Sequence, residues 1–240
     1  SFLFLALAVC IANAAGVTEL YMPENGLIAL HPPLQVSRMG TLSTRTAHPV
    51  YLAAFRDLVR TLGVFSGPIR NPFLYESKTD MLRSLDPRLH SLVLRSVSCA
   101  RPSRYQDLGV RHCGYCVPCL FRRVAMVEAG IDQASDYARD VFTGFTGMTW
   151  KTQADFKALV PFAEMVAAAT DGQLENLVLA HGSFPPGIGA EIGPHAATDY
   201  SPWTSMMRRW ARQFLGVFDA QATTVVKQAI GRKTRRGVRS

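Results

Sequence analysis

A chain of 240 residues with 48% apolar and 18% charged side chains has the composition of a globular protein with a sizeable core, which excludes a disordered or fibrous chain. The net charge of +8 is uneven, because six of the cations (Lys227, Arg232, Lys233, Arg235, Arg236 and Arg239) follow Asp219 with no acid among them. The body is therefore nearly neutral and the tail is a separate electrostatic object.

The chain opens in an apolar run, Ser1 to Val17. Its A-N-A-A segment resembles a signal-peptide cleavage site, but no basic region precedes it. The run is also short for a membrane span, which needs about 20 apolar residues. A buried helix, ended by Asn13 and Gly16, is expected here. A strand over Thr18 to Met22 should follow, and Cys10 is expected as a packed core thiol. The first residue is Ser, not Met, so part of the natural protein is expected upstream.

The strand T-E-L-Y-M leads into P-E-N-G, and the loop after a strand end is where open α/β sheets bind ligands. Residues 24 to 49 are expected as a long loop, too polar and too broken by Pro and Gly for a regular element. Within it, Ser43 to Pro49 reads S-T-R-T-A-H-P. The hydroxyls of Ser43, Thr44 and Thr46, with Arg45 and His48, could hold an anionic or heterocyclic ligand. Equally, Ser43, Thr44 or Thr46 could cap the next helix.

That helix should run from Val50 to Leu62 and stop at Gly63. P-I-R-N-P-F-L-Y reads as a second strand, limited by Pro68 and Pro72. A short helix from Ser77 or Thr79 to Leu85 carries Lys78 at its N-terminal end. A cation is disfavoured there unless it faces an anion, which makes Lys78 a site candidate beside the alternative of a solvated surface lysine.

Ser98 to Arg123 holds four of the five cysteines, spaced C-x13-C-x2-C-x2-C as Cys99, Cys113, Cys116 and Cys119. Thiolates two residues apart on a tight turn can share one tetrahedral ion, and Gly114 sits in that turn. A closed four-cysteine zinc site fits the spacing. Disulfides or plain buried thiols are the alternatives, but a chain of this size with no other paired cysteines is expected to be intracellular, which argues against disulfides. Such a site leaves no open position for water, so the zinc is expected to hold structure. Cys119 to Ala129 should be helical, with Arg122 and Arg123 in its early turns and Gly130 as its stop.

Helices are expected over Asp155 to Ala169, kinked at Pro161, and over Leu174 to Ala180. Gly182 to Asp199 reads as a surface loop bordered by His181 and containing His195, with no further ligand at metal spacing. Trp203 to Ile230 should form one long helix or two, with an apolar stripe of Met206, Trp210, Phe214, Val217 and Phe218.

In this order the motifs F-L-F-L-A-L-A, P-E-N-G, S-T-R-T-A-H-P, N-P-F, S-K-T-D-M and S-C…H-C-G-Y-C-V-P-C-L-F-R-R resemble the 7-cyano-7-deazaguanine synthase (QueC) family. They are more similar still to the QueC-like proteins of bacterial anti-phage defence systems of the Qat type. The resemblance covers roughly the first 140 residues and is most specific at the cysteines and the trailing C-x-x-R-R. It implies an α/β fold: the C-terminal part of a Rossmann-like PP-loop (N-type ATP pyrophosphatase) domain, with a four-cysteine zinc knuckle and an α-helical C-terminal extension. The corresponding organisation is 1–131 for the α/β portion with the knuckle at 98–123, 132–230 for the helical extension, and 231–240 for a basic disordered tail.

The resemblance further implies an ATP-dependent ligase. It would adenylate the carboxylate of a 7-carboxy-7-deazaguanine and pass it to a nitrogen nucleophile, with Mg²⁺ on the phosphates. Lys78 and Arg45 take the catalytic places, and Glu24, Asn25, Gly26, Ser43, Thr44, Thr46, His48 and Arg122 the substrate-binding ones. The Arg45 fork suits a carboxylate or phosphate, and Glu24 suits the donor edge of a deazaguanine. A salt bridge from Arg45 to Asp57 or Asp80 is the structural alternative. The family's S-G-G-x-D-S pyrophosphate loop is not in the sequence, so ATP and Mg²⁺ are expected to act in a longer protein that carries it. S-T-R-T-A-H-P also differs from the aspartate-bearing loop of the biosynthetic enzymes, which leaves the final acceptor open. A cytoplasmic protein without membrane contact, with partners from a defence operon, is the matching expectation. The competing class is a non-catalytic module in which the knuckle and the basic tail bind nucleic acid. No aromatic residue is interleaved with the tail cations, so base stacking is not indicated.

Overall fold

The computed structural model describes residues 2–32, 47–179 and 199–232. Among them the chain is mostly helical, with one two-stranded parallel sheet. Two compact units arise, each from two separate segments: Ser1–Ser77 with Ala169–Arg209, and Lys78–Ala168 with Trp210–Ser240.

In the first unit, α1 (Phe2–Ala14) is a run of good helix formers without Gly or Pro. Gly16 ends it at φ 66°, where a residue without Cβ is unstrained. The Gly16 and Val17 amides then turn back to the Asn13 and Ala12 carbonyls at 3.2 and 2.8 Å. Only one side of α1 is buried, through Leu5, Val9 and Ala12. Leu3, Phe4, Leu7 and Ile11 are exposed, and so is Cys10, which corrects the expectation of a buried helix with a core thiol. An apolar helix needs burial on one face only, and Cys10 lies off that face. No helix among the described residues is long and apolar enough to cross a membrane.

β1 (Leu20–Tyr21) pairs in parallel with β2 (Ile69–Arg70), Leu20 opposite Ile69. The crossover contains α2 (Gly26–Leu30) and α3 (Pro49–Thr61). α2 lies inside the stretch expected as an irregular loop. Asn25 starts it, its Oδ1 accepting from the Ile28 amide at 3.1 Å. α3 is capped by His48, whose Nδ1 accepts from the Val50 amide, with Pro49 at the first helical position. The cap is therefore His48, not Ser43, Thr44 or Thr46, which lie outside the described residues. Leu52, Phe55 and Val59 bury one stripe of α3, and Gly63 ends it at φ 67°. α8 (Asp171–Leu179) adds Leu174 and Val178 to this unit.

In the second unit, α4 (Lys78–Arg83) packs on α6 (Val117–Glu128), with Leu82, Ala125 and Met126 at the contact. α5 (His90–Arg95) lies between them in sequence. α7 (Trp150–Ala168) begins five residues before the expected Asp155 and contains Pro161. Its Phe156 sits among Phe142, Phe145 and Phe218 with ring centroids 5.4–6.0 Å apart. The expected Trp203–Ile230 segment is two helices, α9 (Ser201–Gln221) and α10 (Thr224–Ala229). Thr223 caps α10 through its hydroxyl, which is why the break falls there. His181, His195 and residues 233–240 of the tail lie outside the described residues. Arg232, the first tail arginine, is paired with Glu164 and Asp219.

Gly26 is boxed in: its amide donates to the Glu76 carbonyl at 2.9 Å, and a Cβ there would collide with the Leu74 carbonyl oxygen. Gly26→Ala is expected to destabilise the chain by about 1–3 kcal/mol, the usual cost of overpacking. Urea unfolding checks this, and an unchanged midpoint would show that the backbone yields freely.

Candidate metal centre

The knuckle is built on one short turn and one returning loop. Cys113 and Cys116 flank Gly114, which stands at φ 83° and whose Cβ would collide with the Arg139 carbonyl oxygen. Only glycine satisfies both conditions. Cys116 is the N-cap of α6, with Pro118 in the first turn, so Cys119 projects from that turn toward the other sulfurs. Cys99 arrives from the segment after α5. The four sulfurs all lie within 4.8 Å of one another. Cys113 Sγ and Cys119 Sγ are 3.8 Å apart. Four sulfurs about 2.3 Å from a central ion would be separated by about 3.8 Å, so the cluster has the scale of a zinc tetrathiolate.

The surroundings favour thiolates. The Arg101 and Cys113 amides donate to Cys99 Sγ at 3.3 and 3.4 Å, and the Cys116 amide to Cys113 Sγ at 3.4 Å. Cys116 accepts from the thiols of Cys113 and Cys119, which holds it well below the ordinary thiol range. The same sharing pushes Cys119 far up and Cys113 up to about 12. Among Cys113, Cys116 and Cys119 the thiolate is thus favoured on Cys116 without a cation, whereas a divalent ion would take its sulfur ligands as thiolates. Cys113, Cys116 and Cys119 are buried and Cys99 is half-buried, so the site is closed on the protein side. With four sulfur ligands it can hold structure but offers no position for an activated water.

Two arginines tie the knuckle helix to its neighbours. Arg122, 3% exposed, donates from Nη1 to Ser96 Oγ and from Nη2 to the Val93 carbonyl, both at 2.8 Å. Arg123 meets Asp140 Oδ1 at 2.6 Å and Asp132 Oδ2 at 3.3 Å. Its guanidinium also lies 5.0 and 4.7 Å from the Tyr137 and Phe142 ring centroids. Burial alone would raise Asp140, but the bond and charge of Arg123 outweigh it and hold the carboxyl below its ordinary range. Asp132, by contrast, is raised, chiefly by burial. Sequence reasoning missed this network. Its signal was two adjacent arginines in an apolar helix, followed by Asp132 and Asp140.

The other candidate residues fall as follows. Glu24, Asn25 and Gly26 belong to the first unit, at the exit of β1. Glu24 Oε1 accepts from the Asn25 amide and Nδ2 at 3.0 and 2.9 Å. Asn71, just after β2, donates from Nδ2 to the Glu24 carbonyl at 2.7 Å and accepts from the Glu24 amide at 3.3 Å. P-E-N-G and N-P-F are therefore clamped together. His48 is buried as the cap of α3. Lys78 is the first residue of α4 and, like Arg122, belongs to the second unit. Ser43, Thr44, Arg45 and Thr46 lie outside the described residues. Asp80 Oδ1 accepts from Gln213 at 2.8 Å, and Asp57 lies 3.8 Å from Arg56.

No family model, no curated protein and no solved structure matches this chain.

The purified protein is expected to carry one zinc per chain. Cys119→Ser should lose the metal and lower the melting temperature, and acidification should release zinc as protons compete for the sulfurs. Metal analysis reading well below one zinc, or four thiols freely alkylated in the native state, would contradict this. The carboxylates of the arginine network should also differ. Folding lowers the Asp140 pKa, so its stabilisation is full at neutral pH and is lost as pH falls through the lowered value. Asp140→Asn is expected to cost about 2 kcal/mol at neutral pH, since it strips a buried guanidinium of its shorter partner. Asp132→Asn should cost less, because folding already disfavours that charge. Chemical denaturation at pH 7 ranks the two variants, and the reverse order would refute the assignment.

Proposed function

We propose that this chain is part of a QueC-like ATP-dependent ligase that adenylates the carboxylate of a 7-deazaguanine and transfers it to a nitrogen nucleophile. The observation that carries this reading is the four-cysteine cluster opening a helix with Arg122 and Arg123 in its first turns. The parallel pairing of β1 and β2 gives further support, because it makes P-E-N-G a loop at the C-terminal end of a parallel strand. The fold proposed on this reading is the C-terminal part of a Rossmann-like PP-loop domain with a helical extension. The tetrathiolate stiffens the domain and takes no part in the chemistry. ATP and Mg²⁺ require the S-G-G-x-D-S loop, which residues 1–240 lack, so the reading concerns a longer protein that carries it. Within this chain, Glu24 would meet the donor edge of the deazaguanine. Arg45 would meet the carboxylate or phosphate, and Lys78 the phosphate side. Asn25 and Gly26 would shape the loop, while Ser43, Thr44, Thr46, His48 and Arg122 complete the proposed set. Cytoplasmic location and partners from a defence operon belong to the same proposal.

A second reading, a non-catalytic nucleic-acid module, is favoured by a different observation. Arg101, Arg104 and Arg111 are exposed in the segment between the first two cysteines. They would add to the tail cations as sequence-independent phosphate contacts.

The deciding experiment uses the protein with the pyrophosphate loop present. Pyrophosphate release should depend on 7-carboxy-7-deazaguanine, and Glu24→Ala and Arg45→Ala should each lower it at least about tenfold, equal to about 1.4 kcal/mol of transition-state binding. Zinc content should not change. Normal turnover in both variants would remove the site assignment, and no deazapurine-dependent release at all would remove the ligase reading.

A further inference from the structure

An open groove of about 440 Å³ lies in the second unit, running from the end of α5 to His112, the residue before Cys113. Its size is within the range of small-molecule sites, roughly 300–1,000 Å³. Arg95 and Arg111 line it, with the hydroxyls of Ser91 and Ser135 and the apolar side chains of Leu94 and Val110. Asp136 is the one carboxylate in the lining.

The cations are placed in two ranks. Arg111 Nη1 donates to the Arg95 carbonyl at 3.0 Å, which pins the Arg111 side chain against the end of α5 and leaves most of its fork unused. Among the described residues, nothing pairs with the Arg95 guanidinium or with the Ser91 and Ser135 hydroxyls. Behind this wall lies Arg122, buried and bonded only to the neutral Val93 carbonyl and Ser96 hydroxyl, which flank Leu94 and Arg95. Its Nε has no hydrogen-bond partner, and no carboxylate pairs with it among the described residues. A buried guanidinium without an acid is costly, and an anion in front of it offsets that cost. Three guanidiniums thus face or back a groove that holds a single carboxylate. Planar forks and hydroxyls match the oxygens of a phosphate monoester, and Leu94 and Val110 offer the body of the ligand an apolar contact.

We propose that this groove binds the phosphate of a phosphorylated small molecule, with Arg95 and Arg111 as its forked contacts, Ser91 and Ser135 as hydroxyl donors, and Arg122 supplying positive potential from behind. This site shares only Arg122 with the set proposed for the ligase reaction; Ser91, Arg95, Arg111 and Ser135 lie outside that set, and the test below reads those residues alone.

The experiment is calorimetric titration of the zinc-loaded chain with cytidine 5′-monophosphate, with cytidine and inorganic phosphate as the comparison arms. A pyrimidine nucleotide is used so that a site for adenylate does not report. The nucleotide should bind, more tightly than inorganic phosphate, and cytidine should not. Arg95→Ala and Arg111→Ala should each weaken binding at least about tenfold, equal to about 1.4 kcal/mol, and Arg95→Lys should keep part of the affinity. Arg95→Ala breaks no internal bond, so its zinc content and melting temperature should match the parent. Three outcomes would overturn the site: no nucleotide binding at millimolar concentration, binding unchanged in the double alanine variant, or arginine-dependent binding of a single-stranded oligonucleotide without binding of the mononucleotide.

Discussion

Four sulfurs brought within 4.8 Å of one another are the constraint on which the second unit depends. Thiolates repel at that distance, so they can be neighbours only as shared protons or around a cation. Three of the four come from one turn and the first turn of α6, and the fourth closes a loop back from Cys99. With a metal bound, the loop-closure entropy and the sulfur–metal bonds would be gained and lost together, and metal binding would become folding energy. The direction of α6 follows from the cluster, because Cys116 caps it and Cys119 is in its first turn.

What α6 then does is set by its two buried arginines. Arg122 reaches the carbonyl of Val93 and the hydroxyl of Ser96, tying down the end of α5. Arg123 reaches Asp132 and Asp140, tying down the segment that follows Gly130. Adjacent residues on a helix point about 100° apart, so one pair can serve two sides. The two differ in electrostatics. Arg123 is neutralised by carboxylates and aromatic faces, whereas Arg122 is held by neutral oxygens and keeps its field. That difference separates a structural brace from a cation able to act on the groove in front of it.

In the first unit the equivalent tie is Asn71, 2% exposed, which bonds both the amide and the carbonyl of Glu24. A two-residue strand pair is marginal by itself. The side-chain clamp and the Asn25 cap together hold the P-E-N-G turn after β1. A ligand reading of Glu24 therefore builds on a loop whose backbone is already fixed, which is how positioned sites are made. A metal held by four sulfurs would supply rigidity and no open position for chemistry, so any reaction would have to come from side chains such as these.

Several features were legible in the sequence because their physics is local. Cysteine spacing marked the cluster, and Gly16, Gly63 and Gly130 ended their helices because each holds a positive φ. Both strands were placed from short apolar runs, although only two residues of each pair. Other features depended on which surfaces meet. Whether Cys10 is buried depends on which face of α1 is covered, and an all-apolar helix carries no mark of that face. The cap of α3 went to His48 because its ring nitrogen reaches the Val50 amide, a geometry that hydroxyl counting overlooks. A short helix in a Pro- and Gly-broken stretch is stabilised by the Asn25 cap and by burial of Leu27 and Leu30, not by its own propensity. The sequence by itself determined the cysteine donor set and the glycine stops at Gly16, Gly63 and Gly130, since each rests on neighbours within a few residues. Only the tertiary structure decided which arginine is neutralised and which keeps its charge, because that depends on carboxylates and carbonyls brought from distant segments.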